Sequence, residues 1–278
     1  MKKQRKVALT LAFAIVLTTI GSDSGMVYAA TGDPTATIAE STEEHANFNS
    51  AMELPANTTV TGKTNYYNQD YYKYITTEEG YFYIKGVVTN DVGSLGVEIF
   101  DSEMNKVCST LVWDEGGISQ GLNAKKGALF YIKLDSTAGV NDFTEYSICA
   151  IETAVSNMEK EKNNTTSKAN KISLNKTHHG IILNHDDKDY FKFKAPSAGT
   201  YKFTFDYETG NELGSGWSFY LQKKNGDEIK GKKPVKGKTT LSKKMKAGET
   251  VYVLVWDGFG YGASEAYGYL YSIKVKKK

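Results

Sequence analysis

Asp70-Tyr71-Tyr72-Lys73-Tyr74 and Asp189-Tyr190-Phe191-Lys192-Phe193 are two copies of one pentapeptide, one in each half of a 278-residue chain. In both copies an aromatic side chain stands on either side of a lysine. Because successive side chains of a strand point to opposite faces of a sheet, this alternation places the two aromatic rings on one face. The pentapeptides therefore predict an amphipathic strand in each half, with its aromatic face in a core.

The repeat continues on both sides of these pentapeptides. A glycine precedes each of them, Gly62 or Gly180, and another glycine, Gly80 or Gly199, opens an aromatic run after each. Further matching segments follow in the same order in both halves: Leu122–Gly127 with Met245–Gly248, Leu129–Leu134 with Val251–Val255, and Tyr146–Ile151 with Tyr271–Val275. This shared order indicates two diverged copies of one module.

Each copy consists of short strand-like runs separated by Gly, Asn, Asp and Lys, a pattern typical of an all-β sandwich or barrel. The composition agrees, with 19 Tyr, 12 Phe and 26 Gly but only 4 Pro, because aromatic side chains favour a pleated, half-buried surface. A copy of about 110 residues is long enough to bury its own core. We predict two tandem antiparallel β-sandwich domains over residues 33–153 and 165–278, with a polar linker at residues 154–164.

The N-terminal residues have the pattern of a secretory signal peptide. A basic start is followed by an apolar run from Val7 to Ile20 and by Val27-Tyr28-Ala29, whose small residues suit signal peptidase. A membrane anchor is the alternative, but fourteen residues rise only about 21 Å as a helix, short of a ~30 Å hydrocarbon core. We predict that residues 1–29 are removed and that the mature protein is secreted, extracellular and not an integral membrane protein.

Charge divides unevenly between the halves. Residues 31–153 contain 18 Asp and Glu and 7 Lys, whereas residues 154–278 contain 13 Asp and Glu and 23 Lys. Either the halves attract one another or the basic half meets a polyanion, and solvated charged faces are a third interpretation. The patch predicted for an anionic polymer consists of Lys232, Lys233, Lys236, Lys238, Lys243, Lys244 and Lys246.

Both cysteines, Cys108 and Cys149, lie in the first half. Export permits a disulfide between them. Each also lies in an apolar, strand-like run, so two buried free thiols are an equal alternative. Their spacing is not that of a metal site.

The ordered motifs resemble the bacterial pre-peptidase C-terminal domain, and they are similar to the collagen-binding domains of secreted bacterial collagenases. This resemblance covers nearly the whole mature chain, twice. It implies a jelly-roll-like β-sandwich and a non-catalytic accessory module, which in this family usually accompanies a peptidase or another hydrolase. No such domain is present in this sequence.

The same resemblance implies calcium, held between an acidic leader and an Asp-rich loop before the Tyr strand. Calcium takes 6–8 oxygen ligands, and neighbouring carboxylates repel one another unless a cation or lysines compensate. A solvated acidic loop neutralised by lysines is the alternative. The ligands implied in the second copy are Glu159, Glu161, Asn163, Asn164, Asp186 and Asp189. No full site is expected in the first copy, where Ser41, Glu43, His45, Asn68 and Gln69 occupy the matching positions.

An aromatic loop follows the penultimate strand of the second copy, at Trp256–Gly262. Rings set between glycines cannot all be core, and exposed rings in one patch mark binding sites. Packing of Trp256 in the core and of the other rings on the rim is the alternative. The rings predicted to bind sugar or a Pro-rich peptide are Trp256, Phe259, Tyr261 and Tyr267.

No catalytic constellation is found in the sequence. The four histidines, His45, His178, His179 and His185, have no HExxH context, and GxSxG is absent. We therefore predict a secreted, non-catalytic binding or scaffolding protein that engages an extracellular polysaccharide, an anionic cell-wall polymer or a matrix protein, with no nucleic-acid partner. The alternative is an accessory subunit, chaperone or inhibitor of a separately encoded secreted peptidase or hydrolase.

Overall fold

A computed structural model of the protein describes residues 36–40, 45–112, 117–118, 121–139, 141–183, 186–207, 217–233, 235, 237–257 and 268–278. The predicted signal peptide lies outside these residues. Within them, no helix is long and apolar enough to cross a membrane.

Strands β1 to β11 form the first sandwich, together with a 3₁₀ turn at Phe48–Ser50 that the side chain of Asn47 caps. The strands are β1 (Ala36–Ala39), β2 (Met52–Glu53), β3 (Thr58–Thr64), β4 (Asp70–Ile75), β5 (Gly80–Val88), β6 (Leu95–Phe100), β7 (Lys106–Val112), β8 (Gly117–Ile118), β9 (Leu122–Ala124), β10 (Leu129–Ser136) and β11 (Thr144–Ala154). One sheet has the order β1-β3-β11-β5-β8, with β9 also on β5, and the other has the order β2-β4-β10-β6-β7.

Strands β12 to β20 form the second sandwich. They are β12 (Asn170–Lys171), β13 (Thr177–Ile181), β14 (Lys188–Lys194), β15 (Gly199–Tyr207), β16 (Trp217–Gln222), β17 (Glu228–Lys232), β18 (Thr239–Met245), β19 (Thr250–Asp257) and β20 (Leu270–Lys277). One sheet has the order β12-β14-β19-β16-β17 and the other the order β13-β20-β15-β18.

The two sandwiches share one topology. The order β2-β4-β10-β6-β7 of the first has its counterpart in β12-β14-β19-β16-β17 of the second, strand for strand. Pairing is antiparallel except at the short edge strands β1, β2 and β12, which pair in parallel with their neighbours. The predicted all-β fold of two tandem β-sandwiches is confirmed.

The pentapeptides form the expected amphipathic strands. In β4, Asp70, Tyr72 and Tyr74 are buried while the intervening residues are partly exposed. In β14, Phe191 and Phe193 are buried in the same way. Each pair of rings packs in the core of its own sandwich. This follows because residues two apart on a strand point to the same side of the sheet, here toward the facing sheet.

The core of the second sandwich is mainly aromatic. Phe205 stacks on Phe219, with ring centroids 5.4 Å apart, and packs against Trp217 and Tyr271 at 5.4 and 5.6 Å. Such offset and tilted pairs stabilise a core beyond the area that they bury. The core fixes the position of the Tyr271 ring, whose hydroxyl enters the site described below.

The sandwiches contact each other through a small apolar cluster. Tyr81 on β5 and Val155 pack against Ile181 on β13 and Leu270 on β20, and all four are buried. The hydroxyl of Tyr81 donates a hydrogen bond of 2.9 Å to the carbonyl of Gly268. This cluster joins the end of the first sandwich to one edge of the second.

The segment predicted as a linker is hydrogen-bonded to the second sandwich. The backbone N–H of Glu159 donates to the carbonyl of His179 at 2.9 Å, and the N–H of His179 donates to the carbonyl of Asn157 at 3.1 Å. Two of its polar residues, Glu159 and Asn163, are buried. The side chains of this segment therefore belong to the second sandwich.

Both cysteines are free and buried, so the thiol alternative describes this structure. Burial raises the pKa of Cys108 to about 12 and the pKa of Cys149 to about 11. Neither thiol is poised to ionise at neutral pH.

Candidate metal centre in the second sandwich

Two buried carboxylates face one tyrosine hydroxyl at the edge of the second sandwich. The hydroxyl of Tyr271 on β20 lies 2.6 Å from Oδ2 of Asp189 and 3.2 Å from Oε2 of Glu159. Asp189 is fully buried at the start of β14, and Glu159 is 6% exposed. A hydroxyl has one proton to donate, so two carboxylates share a single donor here.

Strand pairing creates the space for this arrangement. Gly180 on β13 lies directly opposite Tyr271 on β20. A Cβ at Gly180 would overlap the Tyr271 hydroxyl and would approach Oε1 of Glu159. The glycine that precedes the pentapeptide in the sequence is therefore required so that the tyrosine and the glutamate can lie across β13.

Glu159 is held in place from several directions. Its Oε1 accepts a hydrogen bond of 2.6 Å from the N–H of Ile181, and its Oε2 accepts one of 2.8 Å from Nδ2 of Asn163. Asn163 is fully buried, and its carbonyl accepts from the N–H of Tyr190. The segment 155–164 and strand β14 thus meet at these side chains.

Three oxygen atoms of the site are buried without a hydrogen-bond donor. They are Oδ1 of Asn163, Oδ1 of Asn164 and Oδ1 of Asp189. A buried acceptor that lacks a partner costs free energy of about 1–3 kcal/mol, so such atoms in a native structure require an explanation. All three are hard oxygen donors, the ligand type that calcium prefers.

A third carboxylate completes the group. One carboxylate oxygen from each of Glu159, Glu161 and Asp189 lies within 4.8 Å of the other two. Calcium–oxygen bonds of about 2.4 Å bring ligand atoms up to about 4.8 Å apart around one ion. These side chains could therefore hold a single metal ion.

Burial and mutual repulsion make the carboxylates costly to ionise without a cation. Burial raises the pKa of Glu159 to about 7, although hydrogen bonds from Ile181 and Asn163 act in the opposite direction. The pKa of Asp189 is raised well above its usual value, first by burial and then by the charges of Glu159 and Asp187. A divalent cation would oppose both effects, because it attracts the ionised form.

The implied loop ligand Asp186 lies outside this group, while its neighbour Asp187 lies near it. Asp186 is exposed, and its carbonyl accepts a hydrogen bond of 3.4 Å from Nδ2 of Asn164. Asp187 is buried, its Oδ2 accepts from the N–H of Leu183 at 2.8 Å, and burial raises its pKa. Sequence analysis missed Asp187, and the Asp186-Asp187 pair offered no signal for choosing between the two.

The first sandwich contains a related cluster with a histidine. Nε2 of His45 lies 3.5 Å from Oδ1 of Asp70 and 3.8 Å from Oε2 of Glu40. The Tyr146 hydroxyl lies 2.8 Å from Oδ2 of Asp70, as the Tyr271 hydroxyl lies beside Asp189. Sequence analysis expected no full site in this copy, yet one ligand atom from each of Glu40, His45 and Asp70 lies within 4.8 Å of the other two. Of the positions named there, His45 belongs to this group, Ser41 and Glu43 lie outside the described residues, and Glu40 was not named.

The predicted lysine patch is dispersed over the second sandwich. Nζ of Lys243 pairs with Glu249 at 2.6 Å, and Nζ of Lys238 pairs with Asp206 at 3.4 Å. Lys233 lies over the ring of Trp256 at 5.5 Å. The other members are Lys232 on β17, Lys244 on β18, Lys246 in the turn after β18, and Lys236, which lies outside the described residues.

The predicted aromatic site is described at one residue. Trp256 is partly exposed at the end of β19, and Nζ of Lys188 lies 5.2 Å from its ring centroid. Phe259, Tyr261 and Tyr267 lie outside the described residues.

The chain is similar to several solved β structures. It resembles the pre-peptidase C-terminal domain of collagenase from Bacillus anthracis with 23% identity and a TM-score of 0.31, over 39% of this chain and 94% of that one. It resembles a putative secreted protein from Eubacterium rectale with 11% identity and a TM-score of 0.27, over 85% of this chain and 82% of that one.

A third similar structure is the N-terminal CBM22-1-CBM22-2 tandem domain of Paenibacillus barcinonensis Xyn10C. The identity is 12% and the TM-score 0.26, over 79% of this chain and 86% of that one. No protein-family model matches the chain, and no curated protein matches it.

Proposed function

We propose that the protein is a secreted, non-catalytic binding protein whose second sandwich is organised around one calcium ion. The observation that carries this proposal is the group of Glu159, Glu161 and Asp189, with Asn163 bonded to Glu159. Oδ1 of Asn163 and Oδ1 of the next residue, Asn164, are buried without a hydrogen-bond donor. These five side chains supply three carboxylates and two amide oxygens. Backbone carbonyls and water would complete the 6–8 ligands that calcium takes.

The donor set favours calcium over other divalent ions. Zinc is bound mainly by thiolate and imidazole ligands, and the group of Glu159, Glu161 and Asp189 contains neither. Magnesium requires near-octahedral geometry at about 2.0–2.1 Å and keeps several waters, so it rarely uses a buried all-protein cage. Glu159, Asp189 and Asn163 are buried and Glu161 is exposed. A set of carboxylate and amide oxygens of this kind is suited to calcium.

The ion would act as a structural link. Glu159 and Asn163 belong to the segment that leaves the first sandwich, whereas Asp189 is the second residue of β14 in the second. Calcium bound to all three would tie this segment to β14 and replace carboxylate repulsion by attraction. An ion held in this way stabilises a fold and performs no chemistry, which agrees with a binding protein.

Thermal unfolding of the mature protein tests this proposal. We expect the melting temperature of the second sandwich to rise with calcium at about 1 mM, a range in which extracellular modules bind the ion. Binding to the native state alone stabilises by RT ln(1 + [L]/Kd), about 2.7 kcal/mol at a hundredfold excess over Kd. Magnesium at the same concentration should have little effect.

Two matched variants locate the ion. Asp189→Asn keeps an acceptor for Tyr271 but removes a charged ligand, so the calcium-dependent rise should disappear. Asp70→Asn makes the same change at the matching position of the first sandwich and should leave the rise intact. An identical melting curve of the wild-type protein in calcium and in excess chelator would contradict the proposal.

A further inference from the structure

The outer face of the sheet β13-β20-β15-β18 carries lysine and hydroxyl side chains beyond the part where Ile181 and Leu270 pack against the first sandwich. This surface is called the lysine face below. Its outward positions alternate with core residues along each strand, as the burial patterns of β15, β18 and β20 show. The members of the lysine face are Lys202, Lys244, Lys274, Lys276, Thr177, Thr200, Thr204, Thr240 and Ser242.

Strand register brings the positive charges close together. Lys202 on β15 and Lys276 on β20 are direct cross-strand partners. Lys274 lies two residues before Lys276 on the same strand, opposite Thr204. Neighbouring strands lie about 4.8 Å apart, and alternate residues of one strand lie about 6.8 Å apart. The Cα atoms of these three lysines are therefore close neighbours on one face.

These lysines have no acidic partners among the described residues. Elsewhere in the second sandwich, lysines pair with carboxylates, as Lys223 does with Asp227 at 3.3 Å. Asp206 lies on the same face, opposite Ser272, and its carboxylate pairs with Lys238 at 3.4 Å. Like charges that lie directly opposite on a sheet destabilise it, so the pairing of Lys202 with Lys276 favours an anion from outside the protein.

The hydroxyl groups on the lysine face are further potential contacts for a ligand. Oγ1 of Thr204 and Oγ1 of Thr240 lie 3.0 Å apart across β15 and β18. A shallow pocket of about 160 Å³ opens on the same face. It is lined by three lysines, three hydroxyl residues and one carboxylate: Lys238, Lys274, Lys276, Thr177, Thr204, Ser272 and Asp206. Hydroxyl groups beside ammonium groups suit a ligand that carries both anionic and hydroxyl groups.

The first sandwich has a different surface at the matching positions. Tyr83 on β5 and Ile151 on β11 are cross-strand partners there, in the places of Lys202 and Lys276. Cys149 stands in the place of Lys274, counted from Tyr146 and Tyr271. The lysines are therefore a property of the second sandwich and are not required by the shared fold.

We propose that the lysine face binds a linear, hydroxyl-bearing polyanion, such as a sulfated polysaccharide or a polyol phosphate. This inference rests on the proposed function as a binding protein and names its class of ligand. Lysine is a compact point charge without the bidentate geometry of arginine. Binding therefore depends on the charge density of the polymer more than on the chemistry of its anionic group.

Binding of polymers to the mature protein in calcium tests the proposal. The probes are dextran sulfate, poly(glycerol phosphate) and neutral dextran. A preference for one of the first two shows whether the protein favours sulfate or phosphate groups on the polymer. We expect both polyanions to bind and neutral dextran not to bind. Binding should weaken between about 0.05 and about 0.5 M NaCl, because the Debye length shortens over this range.

Two variants with equal loss of charge separate this face from the rest of the molecule. Lys202→Gln with Lys276→Gln should weaken binding about tenfold, since each exposed ion pair contributes modestly. Lys230→Gln with Lys232→Gln, on β17 of the other sheet, should change it by less than about twofold. The first pair should not lower the melting temperature, because it removes a repulsive contact.

The proposal is overturned if the wild-type protein binds neither polyanion or binds neutral dextran equally well. An equal loss of polymer affinity in both double variants would assign binding to the overall charge and would also overturn the proposal. Tighter binding to duplex DNA than to either polyanion would overturn it as well. The calcium-dependent rise in melting temperature is measured on the same samples. If calcium does not raise the melting temperature but the polyanions still bind, the calcium proposal is contradicted and the lysine-face proposal stands.

Discussion

At the scale of single residues, the carboxylates around Tyr271 determine how the calcium-free protein responds to pH. The folded-state pKa of Glu159 is about 7, above its usual value of 4.5. Between these values the folded protein binds more protons than the unfolded chain, so stability falls as pH rises through this range. Asp70 in the first sandwich, raised to about 7 mainly by burial, acts in the same direction.

We therefore expect the melting temperature in excess chelator to decrease between pH 4.5 and about 7. Saturating calcium should flatten this dependence, because bound carboxylates remain ionised. Glu159→Gln should flatten it in part without calcium. A melting temperature that rises with pH in chelator would contradict the pKa assignments.

The metal centre could be located only partly from individual residues. Asp189 and Glu159 are found from their place in the repeat and from the family resemblance, and they do lie together. Asp187 and Glu40 were missed because a turn and an extended leader have no periodicity that indicates which side chain points inward. Their positions depend on hydrogen bonds to residues such as Leu183 and on the position of Tyr146.

At the scale of strands, β13 illustrates how backbone approach limits sequence. Gly180→Ala should strongly destabilise the second sandwich and abolish its calcium response, because the added Cβ overlaps the Tyr271 hydroxyl. Overpacking of this kind costs about 1–3 kcal/mol or more. Denaturant unfolding measures the loss.

Gly86→Ala is the matched control for this prediction. Gly86 also lies within a strand, and a Cβ there would meet its nearest neighbour, Val112, at 3.5 Å, an ordinary contact distance. We expect this variant to retain most of its stability and the full calcium response. Equal destabilisation of both variants would show that any methyl group added within these strands is harmful, and that the overlap with Tyr271 is not the specific cause.

Long strands were predicted better than short ones. The alternation in β4, β14 and β15 is clear because each strand contains six residues or more. Strands β2 and β12 contain two residues each, too few for any period to be visible. Their parallel pairing depends on the path of the chain that precedes each strand, so it could not be predicted from local sequence.

At the scale of the whole molecule, the cluster around Tyr81 joins the two sandwiches. Tyr81→Ala removes a buried ring, and substitutions of this size cost about 3–5 kcal/mol. Because this ring lies outside both cores, the loss should separate the unfolding of the two sandwiches. We expect two resolved calorimetric transitions and a larger radius of gyration.

Two further variants control for this prediction. Tyr81→Phe keeps the ring and removes the hydroxyl that bonds to the Gly268 carbonyl. This variant should have a small effect, since such a bond contributes about 1 kcal/mol. Tyr66→Ala removes a ring that is 66% exposed and should change neither measurement. A single transition in Tyr81→Ala, with unchanged dimensions, would show that the sandwiches are coupled elsewhere.

The hydrogen-bonded segment between the sandwiches also has a mechanical consequence. A pull on the two ends of the chain passes through residues 155–164, where Glu159 and Asn163 are anchored. With calcium bound, this segment would resist extension because the ion would hold it to β14. After chelation, it would yield first and lengthen the protein under low force, so calcium would set the stiffness of anything tethered through it.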